Sequence, residues 1–182
     1  MSRYENYKKD MNEQIREYNT PVDAKHDSAQ YASDLKNDLR IIRDMSELYH
    51  TCYIELCPES TRMRVCWNKG AVYFTIEGFE YLEPFISEVY EYYSPYSFQH
   101  LSREEWRAVI KKMRAFSGRL KEASDADDLK DYLGVPRYKR LYSPFTYMFD
   151  YMRTHLSAYF DEVIAYLEAE LEENERIYIL GL

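Results

Sequence analysis

Glycine is scarce. The 182-residue chain holds five, Gly70, Gly78, Gly118, Gly134 and Gly181, and they do not cluster. That excludes the dinucleotide-binding fingerprint and the phosphate-cradling loop, whose backbone amides reach phosphates only where glycines stand close together. The Gly-x-Ser-x-Gly elbow and the His-Glu-x-x-His zinc helix are missing as well.

Cysteine is nearly as rare. Cys52, Cys57 and Cys66 are odd in number, with no Cys-x-x-Cys spacing. A disulfide framework would leave one unpaired, so a reducing cytoplasm is the expected setting. No apolar run reaches the roughly 18 residues that a bilayer-spanning helix requires. The opening Met1-Ser2-Arg3-Tyr4-Glu5 is polar and lacks a signal-peptide core, so no membrane association is expected. Net charge is −8, which disfavours nucleic acid as a partner and favours basic proteins.

What is abundant is tyrosine, with twenty residues against eight phenylalanines and two tryptophans. A tyrosine ring suits a site that is apolar at one end and wet at the other, either the rim of a core or a surface made to be covered.

Hydrophobic periodicity predicts a single α+β domain over 1–182, mostly helical. Helices are expected over about 3–19 and 28–49, then over about 79–93, 103–122, 125–133 and 144–175. Between the second and third, the period drops from 3.6 to 2. Segments 51–57, 62–67 and 71–77 alternate, and Gly70 suits the turn after Asn68-Lys69. These segments predict a three-stranded antiparallel meander over about 51–77. Ser102-Arg103-Glu104-Glu105 is a capping box, and Trp106, Val109, Ile110, Met113, Phe116 and Leu120 form the cleanest helical stripe. The apolar run Ile177-Tyr178-Ile179-Leu180 is expected to pair with a sheet edge or fill a groove.

Metal-site candidates fail on spacing. His26-Asp27 lacks the upstream histidine that a helical metal phosphohydrolase requires. His50, Cys52, Cys57 and Cys66 lack zinc-knuckle spacing. Asp125, Asp127, Asp128 and Asp131 lack the glycine and terminal glutamate of a calcium loop, and they suit a helix start. No metal and no cofactor are expected.

Charge placement says more. Residues 71–102 contain no lysine or arginine. Glu77, Glu80, Glu83, Glu88 and Glu91 lie there with Tyr81, Tyr92 and Tyr96, and these eight residues are the expected partner-binding face. The following helix is basic, with Arg103, Arg107, Lys111, Lys112, Arg114, Arg119 and Lys121, and it offers intramolecular partners for those carboxylates. The last helix ends in Glu168, Glu170, Glu172, Glu173 and Glu175, against its own dipole, so a positive group is expected beside it.

The leading functional expectation is a non-catalytic binding module. It would be a small acidic inhibitor that covers a basic partner protein, as an immunity protein covers a toxin. One alternative is a structural or homo-oligomeric adaptor. Another is an enzyme or ligand sensor with a pocket between sheet and helices, drawing on His100, His155, Tyr142 and Arg153.

Overall fold

The computed structural model describes residues 28–49, 52–61, 67–133 and 148–181. By its internal contacts the chain divides into two compact units, Met1–Ser33 and Asp34–Leu182. The expected helix over about 3–19 and the expected strand over 62–66 lie outside the described residues. In the first unit only 28–33 are described, as the start of helix α1 (Ser28–Asp38).

The second unit is built on four strands: β1 (Tyr53–Pro58), β2 (Val72–Thr75), β3 (Phe98–Ser102) and β4 (Arg176–Leu180). Their order across the sheet is β2-β1-β4-β3, antiparallel at every junction. The expected meander is therefore corrected. β1 pairs directly with β2, Ile54 opposite Phe74, and its other side is taken by β4, Leu56 opposite Ile179. The carboxyl-terminal run, expected to pair with a sheet edge or fill a groove, pairs on both sides, with β1 and β3, because a strand apolar on both faces buries more area inside a sheet.

The described residues of the unit also form helices α2 (Ile76–Glu80), α3 (Glu83–Val89), α4 (Arg103–Glu122), α5 (Lys130–Leu133) and α6 (Phe149–Glu173). The capping box closes as expected: the Glu105 amide donates to Ser102 Oγ at 3.3 Å, and the Ser102 amide donates to Glu105 Oε2 at 2.7 Å. Trp106, Val109, Ile110, Met113, Phe116 and Leu120 all turn inward against Met152, Leu156, Phe160, Val163 and Leu167 of α6. Phe85, Phe116 and Phe160 meet edge-on or tilted, with ring centroids 5.5 to 5.8 Å apart. Each such buried ring stabilises the fold by about 2 kcal/mol.

Two expected helices are shorter. The span 28–49 stops at Asp38, because Ile42 leaves the helix to pair with Tyr73 on the outer side of β2. The span 79–93 is broken in two. Thr75 caps α2 by accepting from the Gly78 amide, and Pro84 sits in the first turn of α3, having no amide to donate to a preceding turn. The span 125–133 begins as a 3-10 turn, Ala126–Leu129, capped by Asp125 Oδ1.

One sheet face carries Ile54, Leu56, Val72, Phe74, Leu101, Ile177 and Ile179 into the main core. The opposite face holds a smaller cluster of Ile42, Tyr53, Cys57, Ala71, Tyr73 and Leu180, with Trp67 and Tyr178 at its margin.

Candidate functional site

The eight residues of the expected acidic face do not act alike. Tyr81 is only 7% exposed and belongs to the core, so it is withdrawn from that surface. The break between α2 and α3 rotates it inward. Glu83 is half-buried and accepts from the Tyr93 hydroxyl at 2.9 Å. Burial, then the Glu83 and Glu80 carboxylates, push the Tyr93 pKa up, which keeps that hydroxyl a donor. Glu88 pairs with Lys112 of α4 at 2.8 Å. Glu80 is half-buried, and Glu77 is exposed beside the Asp38 carboxylate.

Glu91, Tyr92 and Tyr96 remain fully outward. Tyr92 is 80% exposed and Tyr96 76%. A neighbour that the sequence reading missed, Phe98, is 56% exposed on β3. An alternating strand was hard to recognise in Phe98-Gln99-His100-Leu101, because Gln99 is polar yet buried.

Gln99 explains how the aromatic residues are held. Its side-chain amide donates to the Ser94 carbonyl at 2.7 Å and its side-chain oxygen accepts from the Ser94 amide at 3.3 Å. Ser97 Oγ donates to the same carbonyl at 3.1 Å. The loop 90–97 is thus tied to the strand it enters. From the other side, Gly181 lets the Pro95 carbonyl pass so close that a Cβ there would meet it at 2.1 Å. Exposed rings on a hydrogen-bonded loop give contact area with little entropy to lose on binding.

The basic helix α4 is largely consumed within the fold. Arg103 pairs with Glu175, Arg114 with Glu168, and Lys121 with Asp161 at 2.6 Å. These pairs also supply the positive charge expected at the acidic end of α6. The seam between the two helices opens at one end into a groove. Arg107, Lys111 and Glu172, among which no ion pair forms, line a groove of about 630 Å³ over Ile110 and Leu171.

Of the groups named for the enzyme or sensor alternative, three are among the described residues. His100 lies on β3 with its ring 5.4 Å from that of Tyr178. His155 stacks on Tyr151 at 3.8 Å in α6, and Arg153 is held by Asp150 and the Ala123 carbonyl. Tyr142, His50 and Cys66 lie outside the described residues. Among the described residues no group of three His, Cys, Asp or Glu is placed to hold a metal, and no helix is long and apolar enough to cross a membrane.

No protein family, curated protein or solved structure matches this chain.

Proposed function

We propose that this protein is a non-catalytic binding module that covers a basic partner protein through loop 90–97 and the adjoining strand β3. One observation carries the reading. Tyr92, Tyr96 and Phe98 are three large aromatic residues exposed within seven positions, on a strand and the loop that enters it, the loop held at Ser94 and packed at Pro95, in a segment without a single lysine or arginine. Isolated exposed hydrophobics are ordinary, but a cluster of rigid aromatic residues beside free carboxylate is the composition of a binding hot spot. Glu91 supplies local negative charge and the net −8 supplies the long-range field, both attractive to a basic surface. An inhibitor that neutralises a basic protein, as an antidote does a toxin, is the form of this reading that the charge favours.

The test is affinity capture from the native cell with the wild-type chain and with the Tyr92→Ala/Tyr96→Ala double variant. The wild type should retain one basic protein at low salt and release it as salt rises. Truncating the two rings should weaken capture by at least about tenfold, as anchor residues do, with the unfolding midpoint unchanged. Retention by the double variant, or capture indifferent to salt, would sink the reading.

A further inference from the structure

The two edges of the sheet are treated differently. On the β2 edge, the Ile42 amide donates to the Tyr73 carbonyl at 2.9 Å and the Tyr73 amide donates back at 2.8 Å, so a neighbouring segment closes it. The β3 edge has no such cover among the described residues. Its backbone polarity follows from the ladder. The Glu59 amide donates to the Arg176 carbonyl on one side of β4, and the Arg103 amide donates to the Glu175 carbonyl on the other. Since successive residues of a strand aim their amides and carbonyls in opposite directions, Ile177 and Ile179 address β3. Their partners Leu101 and Gln99 address β4 in return. Phe98 and His100 therefore aim their amides and carbonyls away from the sheet. Both residues are exposed, and among the described residues neither backbone finds an acceptor or donor on that side. The outward amide of Ser102 is already taken by Glu105.

Proteins ordinarily guard such an edge with lysine, proline, a bulge or an inward charge. β3 has none of these, reading Phe98-Gln99-His100-Leu101-Ser102.

We propose that the free edge of β3 receives an extended, basic segment of the partner as a fifth strand. This deepens the protein-binding reading above and rests on it. Phe98 and His100 would exchange four backbone hydrogen bonds with the incoming strand, two at each residue. The charge of the surroundings selects the occupant. Glu91 lies in the loop that enters the strand and Glu104 in the helical turn that leaves it. Both are exposed and make no ion pair among the described residues. Lysine or arginine flanking the added strand would meet them. A second copy of this chain would instead set Glu91 and Glu104 against their own duplicates, on a body of net charge −8.

The probe is a short fluorescein-labelled peptide of alternating threonine and valine flanked by lysines, compared with a twin flanked by glutamates. Titrated against the full chain at low salt, the lysine peptide should bind at least about tenfold more tightly than its twin. It should slow hydrogen exchange at the Phe98 and His100 amides, while Gln99 and Leu101 are slow already. His100→Pro removes one outward amide at an edge position whose N–H faces solvent, where proline is tolerated, and should abolish binding. A lysine peptide methylated on alternate backbone nitrogens should also fail, and it leaves the protein untouched.

Equal binding of the two peptides, or exchange protection away from β3, would overturn the proposal. So would a dimer in sedimentation that His100→Pro dissolves, because the edge would then belong to a second copy. If Tyr92→Ala/Tyr96→Ala abolishes partner capture and His100→Pro does not, strand addition falls and the protein-binding reading stands. If neither variant affects capture, both fall.

Discussion

The Glu55 carboxylate accepts two hydrogen bonds from Asn68, from its backbone amide and from its side-chain amide, each at 2.8 Å. Glu55 is buried on the central strand β1, and its second oxygen accepts from the Trp67 amide at 2.9 Å. Trp67 is held there at a φ of 61°, a left-handed conformation that bulky residues avoid. One buried carboxylate thus fixes the backbone entering the Gly70 turn, and Trp67 in turn covers Tyr53 and Tyr73. Truncation by Glu55→Ala would strand two backbone amides and the Asn68 side-chain amide and release the strained turn, and should cost about 3 kcal/mol. Glu55→Gln retains one acceptor but turns a donor toward the Trp67 amide, and should cost roughly half as much. Urea unfolding followed by far-ultraviolet circular dichroism measures both. A loss below about 1 kcal/mol for the alanine variant would show that the turn forms without the carboxylate.

Acidic groups at the margins of the fold give stability a definite pH dependence. Asp38 has its pKa raised above the ordinary 3.8, chiefly by burial, then by Glu77 and Asp34, against a hydrogen bond from Thr75. Glu170 is raised above 4.5 by burial and by Glu173, with Arg43 opposing. A raised acid binds more protons folded than unfolded. Its contribution is therefore fully present below the ordinary pKa and is lost as pH climbs through the folded value. Asp38→Asn keeps an acceptor for the Thr75 hydroxyl and removes the titration. The urea midpoint of this variant should fall less than that of the wild type between pH 4 and pH 7. Identical slopes would remove Asp38 as a source of the dependence.

How far the sequence foretold this arrangement varies with the element. Helix α4 was legible because a capping box and a 3.6-residue stripe from Trp106 to Leu120 agree, and local chemistry decides both. The acidic end of α6 pointed to a nearby cation, and Arg103 and Arg114 supply it. The sheet was not legible. In β1, alternation sends Glu55 to the face away from Ile54 and Leu56, which reads as solvent. Only the later chain, folding back as Trp67 and Asn68, makes that face interior. β4 announced itself as apolar, but its place between β1 and β3 is a tertiary fact. Tyrosine abundance is partly explained the same way. The hydroxyls of Tyr73, Tyr159 and Tyr166 are buried and donate to the carbonyls of Asn68, Gly78 and Leu56, contacts 5, 81 and 110 residues apart. Of the aromatic patch, Tyr92 and Tyr96 could be named from composition and charge. Tyr81 differs from expectation because the stripe over about 79–93 places it off the core-facing line, whereas it falls at the break between α2 and α3 and is buried.

Thiol chemistry should separate the two described cysteines. Cys52 is exposed, whereas Cys57 is buried under the second sheet face. Burial, reinforced by the Glu55 charge, pushes the Cys57 pKa up to about 11, so almost no thiolate forms at pH 8. In a Cys66→Ser background, Ellman's reagent should modify one thiol within minutes and the second only on unfolding. Rapid reaction of two thiols in the native protein would place Cys57 within reach of solvent.

Two glycines offer opposite outcomes from the same substitution. Gly118 lies within α4 with open space where a side chain would be, so Gly118→Ala should raise stability by about 0.5–1 kcal/mol through helix propensity alone. At Gly181 a Cβ would meet the Pro95 carbonyl oxygen at 2.1 Å and its carbon at 2.9 Å, both backbone atoms that cannot rotate away. Gly181→Ala must therefore displace loop 90–97, the segment that carries Tyr92 and Tyr96. Because the clash falls on a loop beyond the end of β4, global unfolding should shift by no more than about 1–2 kcal/mol, while hydrogen exchange accelerates from Ser94 to Gln99. Partner capture should weaken alongside it, since a loosened loop must be ordered again on binding. Unchanged exchange in that segment would mean that the approach of Pro95 to Gly181 does not hold the aromatic loop in place.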